Sequence, residues 1–352
     1  MKTVLFCLML VIPLAGCGIV QSSDPGPGYN SQKPEVEKAL AFFLLKQYPQ
    51  SLPAFKDLTE KNNPVAMYYY ADQLRQGEGV TRDEKQAETV FKKAFPALIK
   101  LAGQGDAPAQ CCLGSMYSGG KGVEKNPAEA LNWFKKAADT GYARAQALLG
   151  AMYAKGEGTS QNYDEAYKLF QKSAEQNDPL AQYNIARMYE EGKGVEKSTA
   201  AAIAWYLKAA ERGDPAAQYN LGSIYCQEKD YPQALKWYRL SAEQGIAWAQ
   251  NELGRLYYTG EGVGQDYPQA VSWFEKAAAQ GFASAQFNLG VVYYNGTGTP
   301  TDLKQAYKWF LLASLQDHKK AASYVNLMNA KMSEEDIALA SKSAQEFVNN
   351  FK

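Results

Sequence analysis

With 352 residues the chain is long for one globular core but not for a stack of repeats, whose core lengthens along one axis. Its 37 Lys and Arg balance 37 Asp and Glu, so it carries no basic field to attract a phosphate backbone, and nucleic acid is excluded as an expected partner. A single histidine, His318, leaves no cluster for a metal and no Ser-His-Asp or Cys-His arrangement outside its own reach; neither enzymatic activity nor a cofactor is expected.

In chain order, Lys2 precedes an apolar stretch from Val4 to Leu14. It is shorter than the ~20 residues a membrane-spanning helix needs, so residues 1–16 read as a secretory signal. Leu14-Ala15-Gly16-Cys17 resembles the lipobox of bacterial lipoproteins, which implies lipidation of Cys17 as the mature N-terminus. Gly18 stands where Asp would, by the same resemblance, favour retention at the inner membrane, so the expected location is the periplasm, anchored to the outer membrane. Residues 17–34 are rich in Gly, Pro, Ser and Asn and read as a flexible tether. Residues 35–63, with the apolar run Ala39 to Leu45, read as a helical N-terminal cap.

From residue 64 a motif Ala-x-Ala-Gln recurs, with its glutamine at Gln110, Gln146, Gln182, Gln218, Gln250 and Gln286, at spacings of 36, 36, 36, 32 and 36. Counting from that glutamine, Leu or Ile falls at +3, Gly or Ala at +4 and Tyr at +7, as in Leu221, Gly222 and Tyr225. Spacings of 3, 4 and 7 share one helical face, and the small residue permits close approach of a partner helix. Asp178-Pro179 and Asp214-Pro215 open such helices with an acid at the cap and a proline whose missing N–H costs nothing there.

Each first helix ends in a Gly-x-Gly turn, from Gly77/Gly79 to Gly296/Gly298, except the fifth, where Cys226-Gln-Glu-Lys-Asp-Tyr231 is shorter and accounts for the spacing of 32. Second helices carry Ala followed by aromatic or leucine residues three and four positions on, such as Ala202, Trp205 and Tyr206. Five of the six tryptophans occupy that one position and are expected to form core between repeats. The first repeat diverges, with Tyr70, Ala71 and Leu74 at the motif positions and about seven extra residues near Ala94 to Leu101.

These residues resemble the Sel1-like repeat, a relative of the tetratricopeptide repeat. The resemblance implies an all-α, right-handed solenoid of about seven helix-pair repeats over residues 64–317, capped by helices in 35–63 and 318–352. In the C-terminal cap, Ser333-Glu334-Glu335-Asp336 has a helix-opening order. Cys111 and Cys112 are adjacent and Cys226 lies three repeats away, so no disulfide is expected; the first two read as small buried apolar residues.

If packing claims +3, +4 and +7, the other side of each first helix carries +1, +5 and +8. By resemblance to tetratricopeptide repeats this is the concave, partner-binding side. Its occupants are small in the second and third repeats but large in the later ones: Tyr183 and Arg187, Tyr219, Arg255 and Tyr258, Phe287 and Tyr294. Asn220, within a ladder of +2 amides (Asn184, Asn220, Asn288), and Trp248, two residues before Gln250, complete the candidate set. Tyr, Trp and Arg dominate binding energy at protein interfaces. The expected function is a protein-binding scaffold or adaptor; the alternative is an immunity protein that neutralises a secreted antibacterial effector such as a lipase-type toxin.

Overall fold

Short polar side chains set where the helices begin. In the computed structural model, which describes residues 29–350, Asn63, Asp106, Asp178 and Asp214 each accept the backbone N–H three residues ahead at 2.8–3.0 Å. Such a cap satisfies one of the donors a helix start leaves orphaned. Asp83, Asn126, Asn162, Ser198, Asp230, Asp266 and Asp302 do the same for the second helices. The result is eighteen helices and, among the described residues, no strand.

Two compact units contain them. Unit one takes Pro49–Gln146 and the described chain up to Ala39; unit two takes Leu40–Tyr48 and the chain from Ala147. Unit one holds the start of α1 (Tyr29–Leu44), then α2 (Tyr48–Glu60), α3 (Pro64–Gln76), α4 (Glu84–Gly103), α5 (Ala107–Gly119) and α6 (Pro127–Asp139). The division falls within α7 (Ala143–Lys155). Unit two continues with the repeat helices α8 (Tyr163–Glu175), α9 (Pro179–Glu191), α10 (Thr199–Glu211), α11 (Pro215–Gln227), α12 (Tyr231–Glu243), α13 (Ala247–Thr259), α14 (Tyr267–Ala279), α15 (Ala283–Asn295) and α16 (Leu303–Ser314). It closes with α17 (Lys319–Asn329) and α18 (Glu334–Asn350).

Three departures from the sequence reading stand out. Helix α1 begins at Tyr29, so residues 29–34 of the expected tether are helical. The extra residues of the first repeat lengthen its second helix, α4, to 20 residues where its counterparts have 12 or 13. The tryptophan stripe is only partly core. Trp237 is buried, but Trp133, Trp205, Trp273 and Trp309 are half-buried, each with a lysine ammonium 3.8–4.9 Å from its ring centre.

The fully buried aromatic is the next residue along: Phe134, Phe170, Tyr206, Tyr238, Phe274 and Phe310. Each of these rings except that of Tyr206 lies on a glycine at +4; a Cβ on Gly222 would come within 2.5 Å of the Tyr238 ring, so only glycine fits. The fourth repeat has Ala186 there, packed in one cluster with Tyr206. In the turns, Gly298 adopts φ +79° and lies so close to Tyr267 at the start of α14 that a Cβ would stand 2.6 Å from its Cβ. The second glycine of the turn thus serves close approach as well as chain reversal.

The motif glutamine is a fastener. Its side-chain amide donates to a carbonyl in the last turn of the preceding second helix: Gln110 to Ala102 at 3.0 Å, Gln218 to Ala210 at 3.1 Å and Gln250 to Ala242 at 3.1 Å. Its own carbonyl is taken by a second glutamine at the end of its repeat, Gln244 on Gln218, Gln280 on Gln250 and Gln316 on Gln286, at 2.7–2.9 Å.

Candidate protein-binding face

The site residues named from sequence within the described chain, 183 to 294, all lie in unit two, on α9, α11, α13 and α15. Cys17 and the signal lie outside the described residues. The +1 aromatics share one pose. Tyr183 leans on Tyr206, Tyr219 on Tyr238 and Phe287 on Phe310, each with ring centres 5.7 Å apart and tilted by 44–56°. One side of each ring is therefore committed to its own repeat, and all three are half-buried.

The polar members are also engaged. Arg187 donates from Nε to Glu191 at 3.1 Å. Arg255 pairs with Glu252 at 2.9 Å and Glu261 at 2.6 Å and reaches the Cys226 Sγ at 3.3 Å. Burial works against the Arg255 cation, but the two carboxylates more than offset it and hold its pKa above the usual value. Asn220 donates to the Tyr206 hydroxyl at 2.8 Å, which in turn donates to Glu190 at 2.6 Å. Burial and that carboxylate hold the phenol neutral. The expected amide ladder is thus spent internally: Asn184 donates to Leu180 and Asn288 to Asn251.

Packing separates the set further. Phe287 and Tyr294 both meet Tyr324 of α17, at 5.8 and 5.7 Å between ring centres, and Lys331 donates to the Tyr294 hydroxyl at 3.2 Å. They belong largely to the seal between the last repeat and its cap. His318 caps α17 through Nδ1 and stacks on Phe287 at 4.5 Å; burial depresses its pKa. Ser284, Phe287, Asn288, His318, Lys319 and Lys320 line a cavity of about 360 Å³ there. Tyr258 packs against Tyr267 and Phe274 at 5.3 and 6.4 Å.

The pair α11 and α13 carries the exposed aromatic of the set; Arg187 on α9 is exposed as well. Trp248, 58% exposed, stands over Tyr219 with ring centres 5.9 Å apart, and Arg255, Glu252 and Cys226 complete the patch. Burial and the nearby Glu252 raise the Tyr219 pKa. Sequence reasoning missed Glu252. Glu252 left a trace, since it breaks the asparagine pattern at +2. Among the described residues no group of three or more His, Cys, Asp or Glu side chains converges to hold a metal, and no helix is long and apolar enough to cross a membrane.

Helix pairs fastened by the same glutamine and packed on the same +4 glycine are the physical content of a family match. The family model of the Sel1 repeat matches seven segments, 64–94, 107–142, 143–178, 179–214, 215–246, 249–282 and 283–318, well over half of the chain. The chain belongs to the Sel1 repeat family. Among solved structures, a protective antigen of uropathogenic Escherichia coli strains displaying an SLR fold is 28% identical with a TM-score of 0.53, over 92% of this chain and 85% of its own. A Sel1 repeat protein from Oxalobacter formigenes is 37% identical with a TM-score of 0.60, over 64% of this chain and 94% of its own. An immunity protein from Pseudomonas aeruginosa is 25% identical over 60% of this chain and 83% of its own, and its TM-score of 0.40 carries nothing over. The curated proteins include no match. Sel1 repeats mediate protein–protein interaction, and this chain has the repeat scaffold for it.

Proposed function

We propose that this Sel1 repeat chain is a periplasmic lipoprotein, anchored through Cys17, that holds a protein partner on the open face of α11 and α13. The observation that carries the site is Trp248: a large apolar ring more than half exposed, braced by a second aromatic and flanked by an arginine whose carboxylates are already in place. Tryptophan beside tyrosine and arginine is the combination that dominates binding energy when a partner completes its burial. Because Arg255 is paired within the chain, it contributes orientation and specificity more than net charge. The anchor is supported by Leu14-Ala15-Gly16-Cys17 alone.

Replacing Tyr219, Trp248 and Arg255 together by alanine tests the site in cells. The expected result is loss of the partner recovered with the wild-type chain after in-cell cross-linking, with helicity unchanged. Undiminished recovery would move the site off this face. A single partner bound one to one, whose toxicity the chain abolishes, would select the immunity role over the scaffold role.

A further inference from the structure

In unit one the rows equivalent to the open face are covered. At +1 and +2 of the first two repeats, Tyr68, Tyr69, Cys111 and Cys112 are all buried. Beside these rows the beginning of α1 lies across the starts of α3 and α5. Gln32 accepts from Asn63, the cap of α3, at 3.0 Å. Tyr29 donates to the Oδ1 of Asp106, the cap of α5, at 3.1 Å, and the Lys33 ammonium stands 3.2 Å from its Oδ2. Tyr29 is within electrostatic reach of Cys112 and Tyr142.

The attachment is local and light. Of residues 29–39 only Val36 and Ala39 are buried, so little apolar area holds this stretch down. Its side-chain hydrogen bonds to the helix caps come from the turn Tyr29 to Lys33, immediately before Pro34 inside the helix; past the proline, Glu35 adds an exposed ion pair with Lys61 at 4.0 Å. Proline has no N–H to return to the carbonyl of Asn30, and its ring crowds that carbonyl, so the docking turn is poorly tied to the helix behind it. Asp106 is buried and serves twice, as the cap that accepts from the Ala109 N–H at 2.9 Å and as the anchor of the turn.

We propose that residues 29–39 form a strap, a self-bound helical segment that opens independently of the repeats and governs access to the inner rows of α3 and α5. Cys112 reports it. Burial, then Cys111 and Asp106, push its thiol pKa well up, so it resists alkylation while covered. The test is the rate at which iodoacetamide labels each cysteine of the full chain, read by mass spectrometry, with Cys226 as internal control. Tyr29→Phe with Lys33→Met removes both donors to Asp106 while preserving shape, and about tenfold faster labelling of Cys112 is expected, with Cys226 and the melting temperature unchanged. Pro34→Ala restores the missing N–H and should slow Cys112 below wild type. Hydrogen exchange in 29–39 should follow the same order in the three proteins. Cys112 labelling that is equal in all three and tracks global unfolding would overturn the strap, as would acceleration of Cys226 together with Cys112.

Discussion

Phe274 and Trp273 are neighbours on α14 with different duties. Phe274 is 2% exposed and fills the space left by Gly254, where an added Cβ would lie 2.8 Å from its ring; Trp273 is half-buried beneath Lys276. Composition alone points to tryptophan as the core residue, because it is the larger ring and recurs at one position. The structure gives that place to the residue after it, since only that position faces the glycine of the first helix. Phe274→Ala should therefore cost about 3–5 kcal/mol in denaturant unfolding, and Trp273→Ala about half as much, in proportion to the area each buries. Equal losses would mean that the Trp ring is as fully enclosed as its neighbour. The same distinction explains why the candidate site was only partly legible. Tyr219, Phe287 and Tyr258 are aromatics on one helical face, but what packs over each comes from another helix: Trp248, Tyr324 and Tyr267.

Between elements, the glutamine fasteners show how repeats are joined and where the joint is incomplete. In the last three repeats a glutamine one or two residues past the second helix, Gln244, Gln280 or Gln316, satisfies the motif glutamine with its amide. In the second repeat that position holds Thr140, whose hydroxyl turns back to Ala137 at 2.7 Å, and the Gln110 carbonyl oxygen is buried with no hydrogen-bond partner. The fourth repeat has Arg212 there and leaves the Gln182 oxygen in the same condition. A buried acceptor without a donor is a standing cost, so Thr140→Gln should stabilise the chain by about 1 kcal/mol, seen as a rise in the denaturation midpoint at constant slope. No gain would mean that the Gln110 oxygen is already satisfied in solution. The glutamine period was visible in the sequence from the outset. Its bonding role was not, because period says where a residue recurs and nothing about which carbonyl it meets.

For the molecule as a whole, the repeat was legible from end to end, because each helix pair carries its own caps, glycines and apolar face, and such local signals need no knowledge of distant contacts. The closing helices α17 and α18 fell where Ser333 and the residues after His318 placed them, with the Ser333 hydroxyl accepting from the Asp336 N–H at 3.2 Å. The docking of α1 was not legible, since it depends on Tyr29 and Lys33 meeting Asp106 some 77 residues later from within a Pro- and Ser-rich stretch. What distinguishes this chain from a bare scaffold is that one stretch of repeat surface is covered by its own helix while another, around Trp248, is open. The most direct measurement places a photo-crosslinking amino acid at position 248 in cells and, as a control, at exposed position 276 on the second-helix side. A discrete protein adduct at 248, absent at 276 and lost when Tyr219 and Arg255 are replaced by alanine, is the expected result. Adducts of equal yield at both positions, or none at 248, would contradict a partner seated on α11 and α13.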